Sequence, residues 1–321
     1  MTARLAVCVL TVVAALLCSC DSAVSMLPKS GGRPYEVLVV ASDRANAHLL
    51  DSMLSQDAAG LPQAEPMFDV SLTDSLHFNH TAKLARNIVI VTVNPDVFTS
   101  VRVRYEKNVW AKPQMVAYVN APSGTALTKS LPQIGRQLAD LFTRAEMNAE
   151  IARLAESGNV GASVTVDSMF GCAMKIPADM KYSKKADGFL WLSDNVPSGM
   201  QNICVYSYPG DRLDPARALA ARDSVMKRNI PGERQGMYMQ TVRGSVDFVK
   251  ANEKGRILMI SRGLWEMHGD AMGGSFVAHS AADSARGRII VAEAFVYAPE
   301  MKKRNLMRQV EAALYTLKIK N

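Results

Sequence analysis

The chain has 321 residues, of which 48% are hydrophobic and 21% charged. That is ordinary globular composition and excludes a disordered or fibrous polypeptide. The formal net charge is +7, but the basic residues never gather into a long run, so the charge argues for solubility and some affinity for anionic surfaces, and against nucleic acid as a partner. The length suits two domains of about 150 residues.

Arg4 supplies a short positive segment, and Leu5 to Leu17 forms an apolar stretch. A membrane span needs about 20 such residues, so this stretch is too short to cross a bilayer and suits the apolar region of a signal peptide. It ends in Leu17, Cys18, Ser19 and Cys20, which resembles a bacterial lipobox. The resemblance implies that residues 1–19 are a lipoprotein signal peptide and that Cys20 carries diacylglycerol as a thioether. Each buried methylene contributes about 0.8 kcal/mol, so two or three acyl chains anchor durably. Removing 1–19 takes away only Arg4 and leaves a charge of +6. Surface export in such bacteria typically wants several acidic residues after the lipidated cysteine. Only Asp21 follows here, so the resemblance implies a lipid-anchored protein of the cell envelope, on the periplasm-facing side of the outer membrane. Two further cysteines, Cys172 and Cys204, lie in predicted strands. They read as buried free thiols, with a bridge geometrically conceivable in that compartment.

Residues 20–35 are small, polar and turn-rich and read as the tether. A short apolar run at 36–41 predicts a buried strand, and apolar residues at helical spacing predict a helix over 45–55. Strands follow at 86–93, 101–105 and 114–119. A long helix then carries the stripe Ile134, Leu138, Leu141, Phe142, Ile151 and Leu154, stopped by Ser157, Gly158 and Asn159. The boundary between an N-terminal domain (36–160) and a C-terminal domain (161–321) falls there. Strands are predicted at 169–177, 188–194 and 202–208. Asp214 and Pro215 open a helix to about Arg228. Strands near 237–243, 246–251, 256–267, 274–281 and 287–297 precede a closing helix over 301–318. The cluster Lys302, Lys303 and Arg304 opens that helix and reads as a solvated face. Many strands around few helices predict an α+β fold with largely antiparallel sheets in two domains.

Several phrases together resemble a lipoprotein family of Bacteroidota, domain of unknown function 4837. They are GRPYEVLVV at 32–40, LPQAEPMFD at 61–69, WAKPQ at 110–114, RDSV at 222–225, RGLW at 262–265, MGGSFV at 272–277 and FVYAP at 295–299. The resemblance extends over nearly the whole mature chain and brings no activity with it. It departs at Ser275, where the pattern has proline, which bears on the shape of a loop there. The element order of the second half also resembles the Mog1/PsbP-like fold, whose members mostly dock onto larger assemblies.

The chain has no GxSxG, HExxH, phosphate-loop or CxxC motif, and so no signature of a catalytic centre, metal or cofactor. Gly269 to Gly274 lacks the lysine of a phosphate loop and reads as a hairpin turn. That hairpin holds the most polar cluster, Glu266, His268, Asp270 and His279, with Glu293 able to join from strand 287–297. A three-residue loop pairs residue 265 with 279 and puts the two histidines on opposite faces. An even loop pairs 264 with 279 and brings them together. Trp110, Trp191 and Trp265 could line a groove, but at least two read as core anchors. The 18 methionines read mostly as adaptable core filler.

Asp-Ser followed by an apolar residue occurs six times, at Ser22, Ser52, Ser75, Ser168, Ser224 and Ser284, where average composition predicts about one. The pattern resembles the acceptor motif for O-glycosylation of Bacteroidota envelope proteins. Asp-Ser also starts turns and helices well. The leading reading is a non-catalytic, lipid-anchored accessory or binding protein of the envelope, attached to the membrane and docking onto an envelope assembly. The alternatives are a hydrolase-like envelope enzyme centred on the 266–279 hairpin, and a purely structural envelope protein.

Overall fold

The computed structural model describes residues 26–253 and 255–320. Residues 1–19, expected to be a signal peptide, and Cys20 and Ser22 therefore lie outside the described residues. The N-terminal half runs β1 (Glu36–Val40), α1 (Arg44–Leu54), β2 (Asp69–Thr73), β3 (Asn87–Val93), β4 (Arg102–Lys107), β5 (Met115–Ala121) and α2 (Gly124–Ser157). Its sheet has the order β2-β1-β3-β5-β4. The pairings among β1, β2, β3 and β5 are parallel, and only β4 lies antiparallel to β5. Parallel strands are covered by helices, and here Val37, Val39, Val89 and Val119 pack against Leu50 of α1 and Leu138 of α2.

The C-terminal half runs α3 (Val160–Phe170), β6 (Cys172–Ala173), β7 (Tyr182–Ala186), β8 (Phe189–Ser193), β9 (Met200–Pro209), α4 (Pro215–Asn229) and β10 (Tyr238–Thr241). It continues through β11 (Asp247–Glu253), β12 (Arg256–His268), β13 (Gly273–Asp283), β14 (Arg288–Tyr297), α5 (Arg304–Leu314) and β15 (Lys318–Ile319). Its eight-stranded sheet is antiparallel throughout, in the order β10-β12-β13-β14-β9-β8-β7 with β11 also on β12. One face packs Leu258, Ile260, Val277 and Ala292 against Val310 and Leu314 of α5. The other packs Tyr206, Phe276, Val291 and Phe295 against Val225 and Met226 of α4. Asp214 caps α4, accepting from the Arg217 N–H at 2.8 Å, and Pro215 takes the first helical position, where its missing N–H costs nothing.

Two predicted elements differ. Residues 169–177 are not one strand. Helix α3 runs to Phe170, and only Cys172–Ala173 is strand. The Val- and Thr-rich sequence of α3 favours a strand locally. The Asn159 cap on the Ala162 N–H, at 3.0 Å, and burial of Val166 and Phe170 override that preference. The closing helix is shorter, with Lys318–Ile319 peeling off to pair with β6.

Helix α2 joins the halves. Leu127 to Phe142 bury in the N-terminal core and Leu154 in the C-terminal one. A second tie contradicts the solvated reading of Lys303 and Arg304, of which only the neighbouring Lys302 is exposed. Glu65, itself buried, accepts the backbone N–H groups of Lys303 at 2.7 Å and Arg304 at 3.0 Å. The Arg304 guanidinium reaches Asp69 at 2.6 Å. A carboxylate on the free N–H groups of a helix start is favoured by the helix dipole, so the phrase at 61–69 clamps α5.

Candidate functional site

The polar residues of the 266–279 hairpin do not converge. Trp265 faces Gly274 and His279 faces Ile260, so the turn is centred at least two residues earlier than in either register considered from sequence. His268 has the parity of Ile260 but stands eight residues further along β12, about 27 Å away at 3.4 Å per residue. It is exposed and stacks on Tyr238 with ring centroids 4.9 Å apart. Asp270 is exposed at the turn and accepts the Ala271 N–H at 2.6 Å. Glu266 accepts from Gln240 at 2.7 Å. His279 is fully buried on the α5 face, edge-on to Tyr315 at 4.5 Å. Burial lowers its pKa to about 4, with Glu311 opposing the shift, so the ring is neutral near pH 7.

Glu293 faces the opposite side. It pairs with Ala278 across β13 and Cys204 across β9, which puts it under α4 and away from His279. Arg222 holds it through Nε to Oε1 at 3.0 Å, Nε to Oε2 at 3.1 Å and Nη2 to Oε1 at 2.8 Å. Tyr206 donates to it at 3.2 Å. Burial pushes the carboxyl up and Arg222 works against that. The remaining donors of Arg222 go to Thr241 at 2.7 Å, and its plane lies 3.8 Å from the Phe276 ring centroid. With every partner internal, this is a tie between helix and sheet.

A cavity lies elsewhere, between the two halves. It is a cleft of about 1150 Å³. One wall is α2 with Met147 and Ile151, the other α3 with Val160 and Val164. The floor is β12, β13 and α5, through Arg262, Ser275, Val277 and Glu311. Arg262 is bidentate to Glu311, with Nη1 to Oε2 at 2.9 Å. Burial alone would raise the Glu311 carboxyl, but Arg262 outweighs it and holds the pKa below the usual range. Burial likewise works to lower Arg262, and Glu311 outweighs it and raises it. The pair is therefore ionised, and the Arg262 side chain is still 33% exposed to the cleft. Ser275 is 1% exposed, and neither its hydroxyl nor that of Thr143 on α2 has a hydrogen-bond partner among the described residues. A buried polar group left so costs about 1–3 kcal/mol, and nearly all such groups in folded proteins are satisfied. Ser275 sits within β13 opposite Leu264, so the departure from proline there alters the cleft floor and not a loop.

Sequence reasoning missed this cleft because its residues are scattered over 57–67, α2, α3, β12, β13 and α5. RGLW and MGGSFV were the available signal, since Arg262 and Ser275 stand in them. The remaining sequence candidates are accounted for individually. Cys172 and Cys204 are free and buried, in the cores under α5 and α4 respectively. Burial pushes Cys172 up to about 11 and raises Cys204 well above the usual thiol value, so neither thiol is reactive. Trp265 is core, Trp191 packs against it, and Trp110 meets Phe78 edge-on. Ser52, Ser75, Ser168, Ser224 and Ser284 are all exposed, Ser52, Ser168 and Ser224 of them on helices. Among the described residues, no three His, Cys, Asp or Glu side chains group as metal ligands, and no helix is long and apolar enough to cross a membrane.

The fold and cleft together define an α+β protein of two domains, largely antiparallel, with a ligand-sized cavity at their junction. Residues 160–316 match the family model described as Domain of unknown function (DUF4837). The chain thus carries a DUF4837 domain, and residues 30–155 before it match Domain of unknown function (DUF8532). The phrases at 222–225, 262–265, 272–277 and 295–299 fall in the first match and those at 32–40, 61–69 and 110–114 in the second. A resemblance read as one family across the mature chain is therefore divided between two models. A search of curated proteins gave no match.

Proposed function

We propose that the chain is a lipid-anchored, non-catalytic binding protein of the bacterial cell envelope, held by Cys20 at the periplasm-facing side of the outer membrane, and that its ligand enters the cleft between the two domains. The observation that carries the reading is the cleft itself, with two hydroxyls unpartnered among the described residues, Thr143 on a wall and Ser275 on the floor, and an ion pair beside Ser275 on that floor. Ligand sites are concave, mostly apolar, furnished with few polar groups, and frequent at domain interfaces. The separation of His268, Asp270, His279 and Glu293 supports binding over hydrolysis at the hairpin, because acid–base chemistry needs its groups within hydrogen-bond reach of one substrate. A Mog1/PsbP-like second domain is supported by the order of its elements, with short strands, a helix, a long antiparallel sheet and a closing helix.

The test is affinity purification of the tagged, crosslinked chain from envelopes, beside Cys20→Ala and Ile151→Trp, which fills the cleft. An alkyne-palmitate label on the parent and none on Cys20→Ala is expected, together with a bound component depleted in Ile151→Trp. A bound component retained in full by Ile151→Trp would overturn the assignment to the cleft.

A further inference from the structure

The cleft lining combines charged groups with apolar side chains. Its floor carries Arg262 and Arg304, each with a carboxylate of its own, Glu311 and Asp69. Arg308, one turn along α5, also lines the cleft. It lies 4.8 Å over the Tyr35 ring and forms no ion pair among the described residues. One positive charge therefore faces the cleft without a counter-charge, beside the unpartnered Ser275 hydroxyl. The walls bring Met147, Ile151, Met174 and Met307 together with the polar Thr143, Arg144 and Asn148. At the mouth Val160 and Val164 stand 75% and 62% exposed, so the apolar surface continues into solvent. Methionine walls adapt to a flexible apolar chain.

Resting on the reading of the cleft as a ligand site, we propose that its ligand is a long-chain carboxylate, bound head-inward. Its oxygens meet Arg308, the free N–H groups of Arg262 and the Ser275 hydroxyl, and its acyl chain runs between α2 and α3. A guanidinium presents its donors in the fork that a carboxylate accepts. The same chemistry arises from free fatty acid and from the carboxylate end of a longer envelope amphiphile, and the two differ in mass.

The experiment is native mass spectrometry of the secreted Cys20→Ala chain, purified without detergent and titrated with hexadecanoate, with hexadecanol as the uncharged control. One equivalent of hexadecanoate is expected to bind. Affinity should fall at least tenfold for hexadecanol, for Arg308→Leu and for Ile151→Trp, with thermal melts confirming that both variants fold. Failure of hexadecanoate to saturate at one equivalent, or equal binding by both variants, overturns the proposal. Spectra of the chain as isolated from its producing cells separate the two readings. A carried mass of another chemical class, absent from Ile151→Trp, overturns the carboxylate alone and leaves the binding cleft standing. No carried mass and no hexadecanoate binding overturns both.

Discussion

Removing the charge of Glu293 should unfold the C-terminal domain more readily than any surface change. Glu293 is fully buried and Arg222 is 3% exposed. Glu293→Gln leaves that guanidinium buried against a neutral amide, the Thr241 hydroxyl and the Phe276 face, with Asp223 at 3.6 Å as its remaining counter-charge, in place of three charge-assisted bonds to a carboxylate. Breaking a buried pair from one side costs about 3–5 kcal/mol, against a total stability on the order of 5–15 kcal/mol. Replacing both partners by apolar residues is often neutral or stabilising, so Arg222→Met with Glu293→Leu should recover most of the loss. Urea unfolding followed by tryptophan fluorescence suits the test, since Trp191 and Trp265 pack in the same core. The expected result is a lowered midpoint with unchanged slope for each single variant. The double variant should then be more stable than either single one. Single losses under about 1 kcal/mol, or losses that add in the double variant, would refute the reasoning.

Three other outcomes follow from the same geometry. His279 has a folded pKa of about 4 against 6.5 when unfolded, so the unfolded chain takes up the proton first and stability is lost as pH falls from 6.5 to 4. The full window is worth about 3 kcal/mol at 1.36 kcal/mol per unit. His279→Leu should flatten the stability–pH curve there, and an unchanged slope would show that the ring is not neutral in the fold. Glu65→Ala strips the Lys303 and Arg304 N–H groups of their partner and should cost about 1–3 kcal/mol, read as a lower urea midpoint and faster proteolysis within residues 57–67. At Gly274 an added Cβ would lie 2.1 Å from the Val296 carbonyl oxygen, while at Gly161 it meets only the Asn159 side chain, at 3.6 Å. Gly274→Ala should therefore destabilise, and Gly161→Ala should raise the melting temperature through helix propensity worth up to about 1 kcal/mol.

The sequence made β1, β3, β5, α2, α4 and β12 to β14 legible, because each has a strong apolar period or a cap. It hid β2 and β7, which are short edge strands with no fully buried side chain, so burial left no pattern in them. It also hid α3, whose residues prefer strand and are overruled by packing. Lys303 and Arg304 looked solvated because charge at a helix start usually is, and their partners Glu65 and Asp69 lie more than 230 residues away in sequence. The polar hairpin drew attention because His268, Asp270 and His279 are close in sequence. Register then separates them, since adjacency along a β-strand says little about convergence. The cleft has the opposite character, being dispersed in sequence and assembled by the meeting of α2, α3 and α5.

The measurement that tests the account most directly is a photo-crosslinker scan of the full-length chain in cells, with the probe placed in turn at Ile151, Val164, His268 and Val249. The account predicts discrete adducts at Ile151 and Val164, in the cleft, and none above background at the hairpin or on the β11 edge. Adducts concentrated at His268 with an empty cleft would contradict it and return the hairpin to first place.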